Sequence, residues 1–258
     1  MAFTDEEALA LNRAVGDGWS LLAGGARRGE SIIMRGGSAG ISGEPTVVMN
    51  WAVVQGPEGV EDALRAIVLR LRERAVPGIV CVGARAAAEA APVARELGLA
   101  ADHPVPLMVC GTEGFAPGEA RCVAEHVTSA AQASEVAETL AAAFGLELDL
   151  CVGFLGKSWR VTPGVDLFLS RIEGRATAAL ATARVEDTVG VYAMGTRPDR
   201  RRRGAGAAAL SAAMQFHLDH GASLFVLQAS ALGEPLYRSL GYEKVEDAAV
   251  WVVMPEQA

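Results

Sequence analysis

The segment that could carry chemistry runs from Tyr192 to Gly206 and reads YAMGTRPDRRRRGAG. Glycines at positions 204 and 206 have no side chains, so backbone N–H groups there can approach a bulky anion. The predicted helix that follows adds the positive end of its dipole, and the arginines from Arg200 to Arg203 add full charges. In a chain with a net charge of −8, this pattern predicts a local anion site that suits a pyrophosphate.

Together with a second motif downstream, this segment resembles the acetyl-CoA-binding core of the GCN5-related N-acetyltransferase (GNAT) superfamily. The family signature has Arg or Gln, two residues, Gly, one residue, then Gly or Ala, and it matches RRRGAG from Arg201 to Gly206. Further on, LYRSLGY from Leu236 to Tyr242 resembles the tyrosine helix and the leucine-glycine-aromatic ending of the family. LQAS, at 227–230, is similar to a strand end in one actinobacterial-type subgroup. The resemblance covers about residues 134–254.

The resemblance implies a role for each matching residue. The strand that ends at Met194, Gly195 and Thr196 would diverge from its neighbour, and Met194 and Thr196 would offer backbone groups to pantetheine. Ser230 would contact the thiol arm, and Tyr237 would be the general acid beside the thioester sulfur. The pyrophosphate would be held by backbone amides of Arg201, Arg202, Arg203, Gly204, Ala205 and Gly206. The implied co-substrate is acetyl-CoA, and the implied reaction is direct attack of an amine on the acetyl carbonyl.

The sequence departs from the family at one position. Many members carry a catalytic glutamate on the strand before the basic turn, and the corresponding residue here is Gly190, which has no side chain. Glu186 and Asp187 lie in the preceding turn, where carboxylates are most often only solvated. A base acting through water is an equal alternative, so the sequence assigns no base.

Dinucleotide binding is the competing interpretation, because residues 204–209 also fit the pattern GxGxxA. A Rossmann unit has its first glycine directly after a strand and an acidic residue at the end of the next strand. Here Pro198 and the arginines intervene, and the next predicted strand ends in Leu227 and Gln228. The context therefore disfavours a dinucleotide site.

Hydrophobic periodicity predicts the elements that must position these residues. Strands are predicted at 46–54, 79–82, 105–109, 165–170, 176–185, 189–196, 223–228 and 245–253. Helices are predicted at 5–15, 60–74, the alanine-rich stretch before Leu97, 204–220 and 232–240, and another, capped by Ser134, ends near Phe144. Hairpins followed by β-helix-β units predict an α/β (α+β) fold with a mixed sheet.

The two halves of the chain share one order of elements. Helix, strand, helix, Leu-Gly and strand occur around residues 60–109 and again around residues 204–253. A weak internal repeat predicts a duplicated fold, although any two α/β units share this order. We predict two GNAT-like halves, each a mixed, mostly antiparallel sheet flanked by helices. The domains are a degenerate one at 1–128 and an acetyl-CoA-binding catalytic one at 129–258, joined within the poorly patterned stretch 104–132.

The N-terminal half has the fold pattern without the cofactor chemistry. The segment from Gln55 to Gly59 lacks arginine and adds Glu58, whose charge would repel a pyrophosphate. Ala94 stands where the other half has Tyr237. This half is interpreted as structural: it would form a wall of the acceptor pocket and could exchange strands with the C-terminal half. Trp51 and Trp159 could line that pocket, although a tryptophan in the core or at a rim is the commoner case.

Composition limits the function classes. With 23 basic and 31 acidic residues, the chain is a poor general binder of nucleic acid or anionic membrane. The first residues are acidic where a signal peptide would be basic, and no segment suits a membrane span. Reduced thiols and a cytoplasmic location are expected because no CxxC spacing occurs among Cys81, Cys110, Cys122 and Cys151. His217 and His220 lack a third ligand, so no metal site is expected, and near a helix C-terminus they are interpreted as partners of the helix dipole.

The resemblance therefore implies an acetyl-CoA-dependent N-acetyltransferase that transfers an acetyl or other acyl group to a small-molecule amine. The missing glutamate leaves a non-catalytic acyl-CoA-binding sensor or assembly protein as one alternative. An O-acyltransferase is another, because the acceptor, not the cofactor site, decides between nitrogen and oxygen. The acceptor, the acyl length and the oligomeric state, including a homodimer, are left open by the sequence.

Overall fold

The computed structural model describes residues 3–56, 58–117 and 122–255. The first half of the chain contributes α1 (Asp5–Gly24), β1 (Glu30–Met34), β2 (Gly37–Ile41), β3 (Asn50–Val54), α2 (Val60–Glu73), β4 (Gly78–Val82), α3 (Ala87–Glu96), β5 (Ala100–Gly111) and β6 (Val123–His126). The second half contributes α4 (Ala130–Phe144), α5 (Leu148–Leu155), α6 (Ser158–Val161), β7 (Val165–Ile172), β8 (Arg175–Val185), β9 (Thr188–Thr196), α7 (Ala205–Asp219), β10 (Leu224–Gln228), α8 (Glu234–Ser239) and β11 (Glu243–Val253). Pro57 of the 55–59 segment and residues 118–121 of the predicted joining stretch lie outside the described residues.

The described strands form one sheet in the order β1-β2-β3-β4-β11-β5-β10-β9-β8-β7-β6. The pairs β3–β4 and β9–β10 are parallel, and the other neighbouring pairs are antiparallel. Each parallel pair is joined through a crossover helix, α2 or α7, as a parallel connection requires. The predicted α/β fold with a mixed, mostly antiparallel sheet flanked by helices is therefore confirmed.

The two halves exchange strands at the centre of the sheet. β11, from the second half, lies between β4 and β5 of the first, so that Trp251 is paired with both Val80 and Ala101. β5 in turn lies between β11 and β10, where Cys110 is paired with Phe225. The expected exchange is therefore present, and each half takes a central strand from the other. The domain boundary between residues 128 and 129 stays a prediction.

Helix α1 packs against strands of both halves, including β1 to β3 and β8 to β10. Two glycines inside the helix permit this approach, although glycine costs a helix about 0.5–1 kcal/mol relative to alanine. A Cβ at Gly16 would lie 3.1 Å from Cβ of Val53, and one at Gly18 would collide with the phenol of Tyr192. The Tyr192 hydroxyl donates to the carbonyl oxygen of Val15 at 3.0 Å. α1 is thus a buried connection between the halves.

The structure corrects the predicted cap of α4 and the predicted strand at 46–54, and it contains a hairpin that was not predicted. The residue that caps α4 is Ser129, whose hydroxyl accepts from the Gln132 amide, whereas Ser134 lies inside the helix. Residues 46–54 are not one strand, because a 3₁₀ turn at Val47–Met49 precedes β3. The hairpin of β1 and β2 was not predicted. The sequence of β2, GSAGI, is poor in strand-forming residues, and the burial of this strand between other elements compensates for its low strand propensity.

Candidate active site

Strands β9 and β10 diverge where the site forms. Their pairing covers Thr188 to Gly190 opposite Leu224 to Val226, whereas β9 continues to Thr196 and β10 to Gln228. On its other side, β9 carries a bulge against β8, with Ala193 at a φ of +47°. The strand that ends at Met194, Gly195 and Thr196 therefore diverges from its neighbour, as expected from the sequence, and the wedge between the two strands begins after Gly190.

A cavity of about 680 Å³ lies at this wedge. It brings together most of the predicted site residues: Met194, Gly195, Thr196, Arg201, Arg202, Gly204, Ala205, Gly206, Ser230 and Tyr237. Arg203 does not line it, because its guanidinium turns towards Glu173, 3.8 Å away. The remaining lining residues are Ala143, Phe144, Ala207, Leu232, Gly233, Pro235, Leu236 and Ser239, which the sequence analysis missed. The one sequence signal for Phe144 is its place before the helix-ending Gly145.

The N-terminus of α7 faces this cavity. Gly204 caps the helix at a φ of +85°, and within the described residues the helix has no side-chain cap hydrogen bond. The preceding Arg202 also has a left-handed φ, of +62°. Amides at such a helix end need acceptors from elsewhere, and an anion is the natural one.

Gly206 lies where the helix meets the wedge. A Cβ at this position would be 3.1 Å from Oγ1 of Thr196 and 3.3 Å from side-chain carbons of Leu236 and Met194. Such a methyl group would already be tight against β9 and α8. The absence of a side chain at residue 206 therefore keeps the space between helix and wedge open.

The arginines of the turn have two roles: some hold the loop in place, and others line the cavity. Arg201 donates to the carbonyl oxygens of Thr196 and Ala143, each at 3.3 Å, and so joins the turn to β9 and α4. Arg200 and Arg203 face Glu173 at 3.5 and 3.8 Å. Arg202 is exposed and lines the cavity. The site is therefore positive at its mouth.

Tyr237 of α8 contributes a protonated phenol to the cavity. Its side chain is buried, and burial raises its pKa to about 12. At neutral pH such a phenol can donate a proton and does not act as a base. Ser230 accepts a hydrogen bond from the Gly233 amide at 3.1 Å and so also orders the turn that leads into α8.

Gly190, the position of the missing glutamate, has no space for a side chain. A Cβ at Gly190 would collide with the phenol of Tyr192, which bends back over it. Glu186 and Asp187 lie at the start of β9, at the opposite end of the strand from the cavity. Among the described residues that line the cavity, the titratable ones are Arg201, Arg202 and Tyr237, so no carboxylate or imidazole among them faces the wedge.

Three of the four histidines, His126, His217 and His220, form a cluster around Phe216 that does not line the cavity. His217 is buried beside Thr182, with Nε2 and Oγ1 2.8 Å apart, and burial lowers its pKa to about 4. Asp166 contacts His126 at 2.7 Å and lies 4.0 Å from His217. Within the part of the chain that the structure describes, no group of three potential ligands is arranged for a metal ion. His217 is thus a buried neutral residue, not an exposed partner of the helix dipole.

The corresponding parallel pair in the N-terminal half remains closed. β3 and β4 stay paired to their last residues, Val54 and Val82, so no wedge separates them. Glu58, before α2, forms an ion pair with Arg35. Trp51 stacks on Trp19 and donates to Oε1 of Gln228 at 2.8 Å, and neither Trp51 nor Trp159 lines the cavity at the wedge.

Within the described residues, no helix has the length and hydropathy that a membrane span requires.

Comparison with known proteins identifies the fold. No protein-family model and no curated protein matches the sequence. A GCN5-related N-acetyltransferase from Kribbella flavida is 22% identical, with a TM-score of 0.68 over 97% of this chain and 96% of that chain. An acetyltransferase of the GNAT family from Novosphingobium aromaticivorans is 14% identical, with a TM-score of 0.58 over 88% and 92% of the two chains. A tandem GNAT protein from clavulanic acid biosynthesis is 14% identical, with a TM-score of 0.56 over 86% and 80%. The chain therefore has the GNAT fold, as the resemblance predicted.

Proposed function

We propose that this protein is an acetyl-CoA-dependent N-acetyltransferase that acylates the amine of a small molecule. The observation that carries the proposal is a single cavity in which the wedge between β9 and β10, the N-terminus of α7 and the phenol of Tyr237 meet. Each feature suits one part of an acyl-CoA: an extended amide-containing arm, a pyrophosphate and a thioester.

The backbone supplies most of the binding in this proposal. Amides from Arg201 to Gly206 would receive the pyrophosphate at the helix N-terminus, and the exposed Arg202 adds charge there. β9 is not paired with β10 beyond Gly190, so backbone groups of Met194 and Thr196 would pair with the amides of the pantetheine arm. Arg203 contributes its backbone only, because its side chain is directed at Glu173.

The reaction follows from the groups in the cavity. The amine nitrogen attacks the acetyl carbonyl carbon, the C–S bond breaks, and Tyr237 donates its phenolic proton to the departing sulfur. The proton released by the amine nitrogen passes to water and restores the phenol. Because no base among the described residues faces the wedge, the acceptor enters as its uncharged amine or loses its proton to water.

The closed position at Gly190 favours a second candidate, a non-catalytic acyl-CoA sensor. The two candidates share the binding site and differ only in turnover. An O-acyltransferase would share the cofactor site as well and would differ in its acceptor. A cytoplasmic location, expected because the four cysteines are free thiols, belongs to the same proposal.

Calorimetry with acetyl-CoA, followed by release of free CoA thiol across a panel of amines and alcohols, tests the proposal. We expect one acetyl-CoA per chain, because β3 and β4 leave no wedge in the N-terminal half. Turnover with an amine supports the transferase, and turnover with alcohols alone supports O-acylation. Binding without turnover supports the sensor. Absence of acetyl-CoA binding would reject all three.

A further inference from the structure

A second cavity, of about 360 Å³, lies in the N-terminal half. Its floor is formed at the carboxyl ends of the parallel strands β3 and β4, by Gln55 and Gly56 on one side and Gly83 on the other. The carboxyl ends of parallel strands are where open α/β sheets usually bind ligands. The cavity at the wedge stands at the matching ends of β9 and β10, so the two cavities occupy corresponding places in the two halves.

A buried amide in this cavity lacks a hydrogen-bond donor. Asn12 of α1 is 2% exposed and lines the cavity. Its Nδ2 donates to the carbonyl oxygen of Ala8 at 2.9 Å and to Oε1 of Glu246 at 2.8 Å, which fixes the orientation of the amide. Oδ1 has no donor among the described residues. Leaving a buried acceptor without a hydrogen bond costs free energy, so a ligand that donates an N–H group to Asn12 would be stabilised there.

The charges around Asn12 favour a cation. Glu246 is nearly buried, and its carboxylate accepts from the Ala84 amide at 3.0 Å and from Arg85 at 2.8 Å. Arg85 also pairs with Asp5. Within the described lining, the three carboxylates of Asp5, Glu6 and Glu246 outnumber the single guanidinium of Arg85. The net charge of the lining is therefore −2, which attracts a positive ligand.

We propose that this cavity binds a small primary alkylammonium ion. Its ammonium group donates to Oδ1 of Asn12, its alkyl stem packs against Ala8 and Leu9, and the surrounding carboxylates balance its charge. The cavity has no role in the proposed acyl transfer, so the site stands whether or not the protein is a transferase.

The test is a titration of the isotopically labelled full chain, in which NMR follows the side-chain amide of Asn12. The probe is butylammonium chloride, and the controls are butyramide, which is neutral, and sodium butyrate, which is an anion. Physiological ionic strength screens exposed charges beyond about 8 Å. We expect the Asn12 signal to shift with butylammonium, with at least about tenfold tighter binding than for butyramide and no saturation with butyrate.

Two variants locate the ligand. Asn12→Leu removes the acceptor and should abolish saturable binding. Glu6→Gln, on the exposed rim, leaves the fold undisturbed and should weaken binding about two- to fivefold. Glu89→Gln, which removes an exposed charge of α3 outside the cavity, is the matched control and should change nothing.

Three results would overturn the proposal: an unmoved Asn12 signal, equal affinity for butyramide, or equal effects of Glu6→Gln and Glu89→Gln. If Asn12→Leu fails to fold, the Asn12 signal and the Glu6 and Glu89 variants still decide. Acetyl-CoA binding and turnover are measured separately, so failure of this site and failure of the proposed function remain distinct.

Discussion

Tyr237 and Tyr242 are two buried phenols with different relations to the cavity. Their ring centroids are 5.8 Å apart, and burial raises the pKa of both hydroxyls. Tyr237 lines the cavity, whereas Tyr242 does not, and the Tyr242 hydroxyl has no partner among the described residues. Substitutions at the two positions can therefore distinguish the catalytic role of a phenol from its role in packing.

Tyr237→Phe should reduce turnover about 10²-fold, the lower end of the range for acid catalysis, because a thiolate is already a good leaving group. The affinity for acetyl-CoA should change little, because the phosphate contacts lie at α7. Steady-state kinetics and calorimetry on the same preparation provide the measurement. Tyr242→Phe is the matched control and should keep its turnover. Equal losses in the two variants would contradict the assignment of the acid.

Gly206→Glu should abolish acetyl-CoA binding. The new side chain has no room between Thr196 and Leu236, and its carboxylate would stand at the helix end that is meant to receive a pyrophosphate. Calorimetry measures the loss, and circular dichroism checks that the variant folds. Gln215→Glu adds the same charge to an exposed position of α7 and should bind normally. Unchanged affinity in a folded Gly206→Glu protein would remove the anion site from this helix.

At the scale of elements, α7 serves two environments. Its first turn faces the cavity, and its last turn carries His217 into a buried contact with Thr182 of β8. Protonated His217 would leave a charge in this packed region, so burial favours the neutral form. The stability of the helix contact therefore depends on pH.

His217 should make the protein less stable in acid. Its pKa is about 4 in the folded protein and 6.5 for an ordinary histidine, so between these values the unfolded chain binds the proton more readily. Stability should fall as pH decreases from about 6.5 to about 4, by about 3 kcal/mol from this residue. Urea unfolding at several pH values measures it. His217→Gln should flatten this part of the profile, and His220→Gln, an exposed change on the same helix, should not. Parallel profiles for wild type and His217→Gln would contradict the prediction.

The sequence predicts an element well when local signals determine it, and poorly when tertiary contacts stabilise it. α7, β9 and β10 were predictable because their periodicity and their glycines are local signals. β5 was predicted only at 105–109, whereas it runs from Ala100 to Gly111, because Pro104 argues against a central strand. A register shift opposite Pro104 lets β11 pair on both sides of it. Pairing of this kind is a tertiary contact, and it cannot be recognised from the local sequence pattern.

The candidate site shows the same limit. Nearly all of the residues that the motifs predicted for the site line the cavity, but the lack of space at Gly190 depends on Tyr192 bending back towards α1. The spacing of Gly190 and Tyr192 places both on one face of β9, but it does not indicate that the ring lies over Gly190. The side chain of Arg203 is likewise directed by Glu173, which lies far away in sequence.

At the scale of the whole molecule, the exchanged strands make each half depend on the other. β11 is paired with β4 and β5, and β5 is paired with β10, the strand beside the wedge. Without β11, β4 and β5 would expose unpaired edges, which promote aggregation. The N-terminal half thus supports the site through the sheet itself.

Fragments 1–128 and 129–258 should each fail to fold when produced alone. We expect neither to show a cooperative thermal transition, and we expect the two to associate when refolded together. Circular dichroism and size-exclusion chromatography provide the measurements. A chain cut after folding at the exposed Thr128–Ser129 junction is the control and should stay assembled. A folded 129–258 fragment that binds acetyl-CoA by itself would show that the exchange is dispensable.

The interleaving of β4, β11, β5 and β10 has a consequence for biosynthesis. Gly78 is paired with Val253, and Gly111 with Leu224, so the centre of the sheet consists of contacts between residues translated far apart in time. Contacts of this kind slow folding, because a long loop must close before they form. While the ribosome elongates the second half, the edges of β4 and β5 that pair with β11 remain without a hydrogen-bonding partner. Neither half can fold to completion during translation before β11 emerges, which makes the nascent chain a natural client for chaperones that shield strand edges.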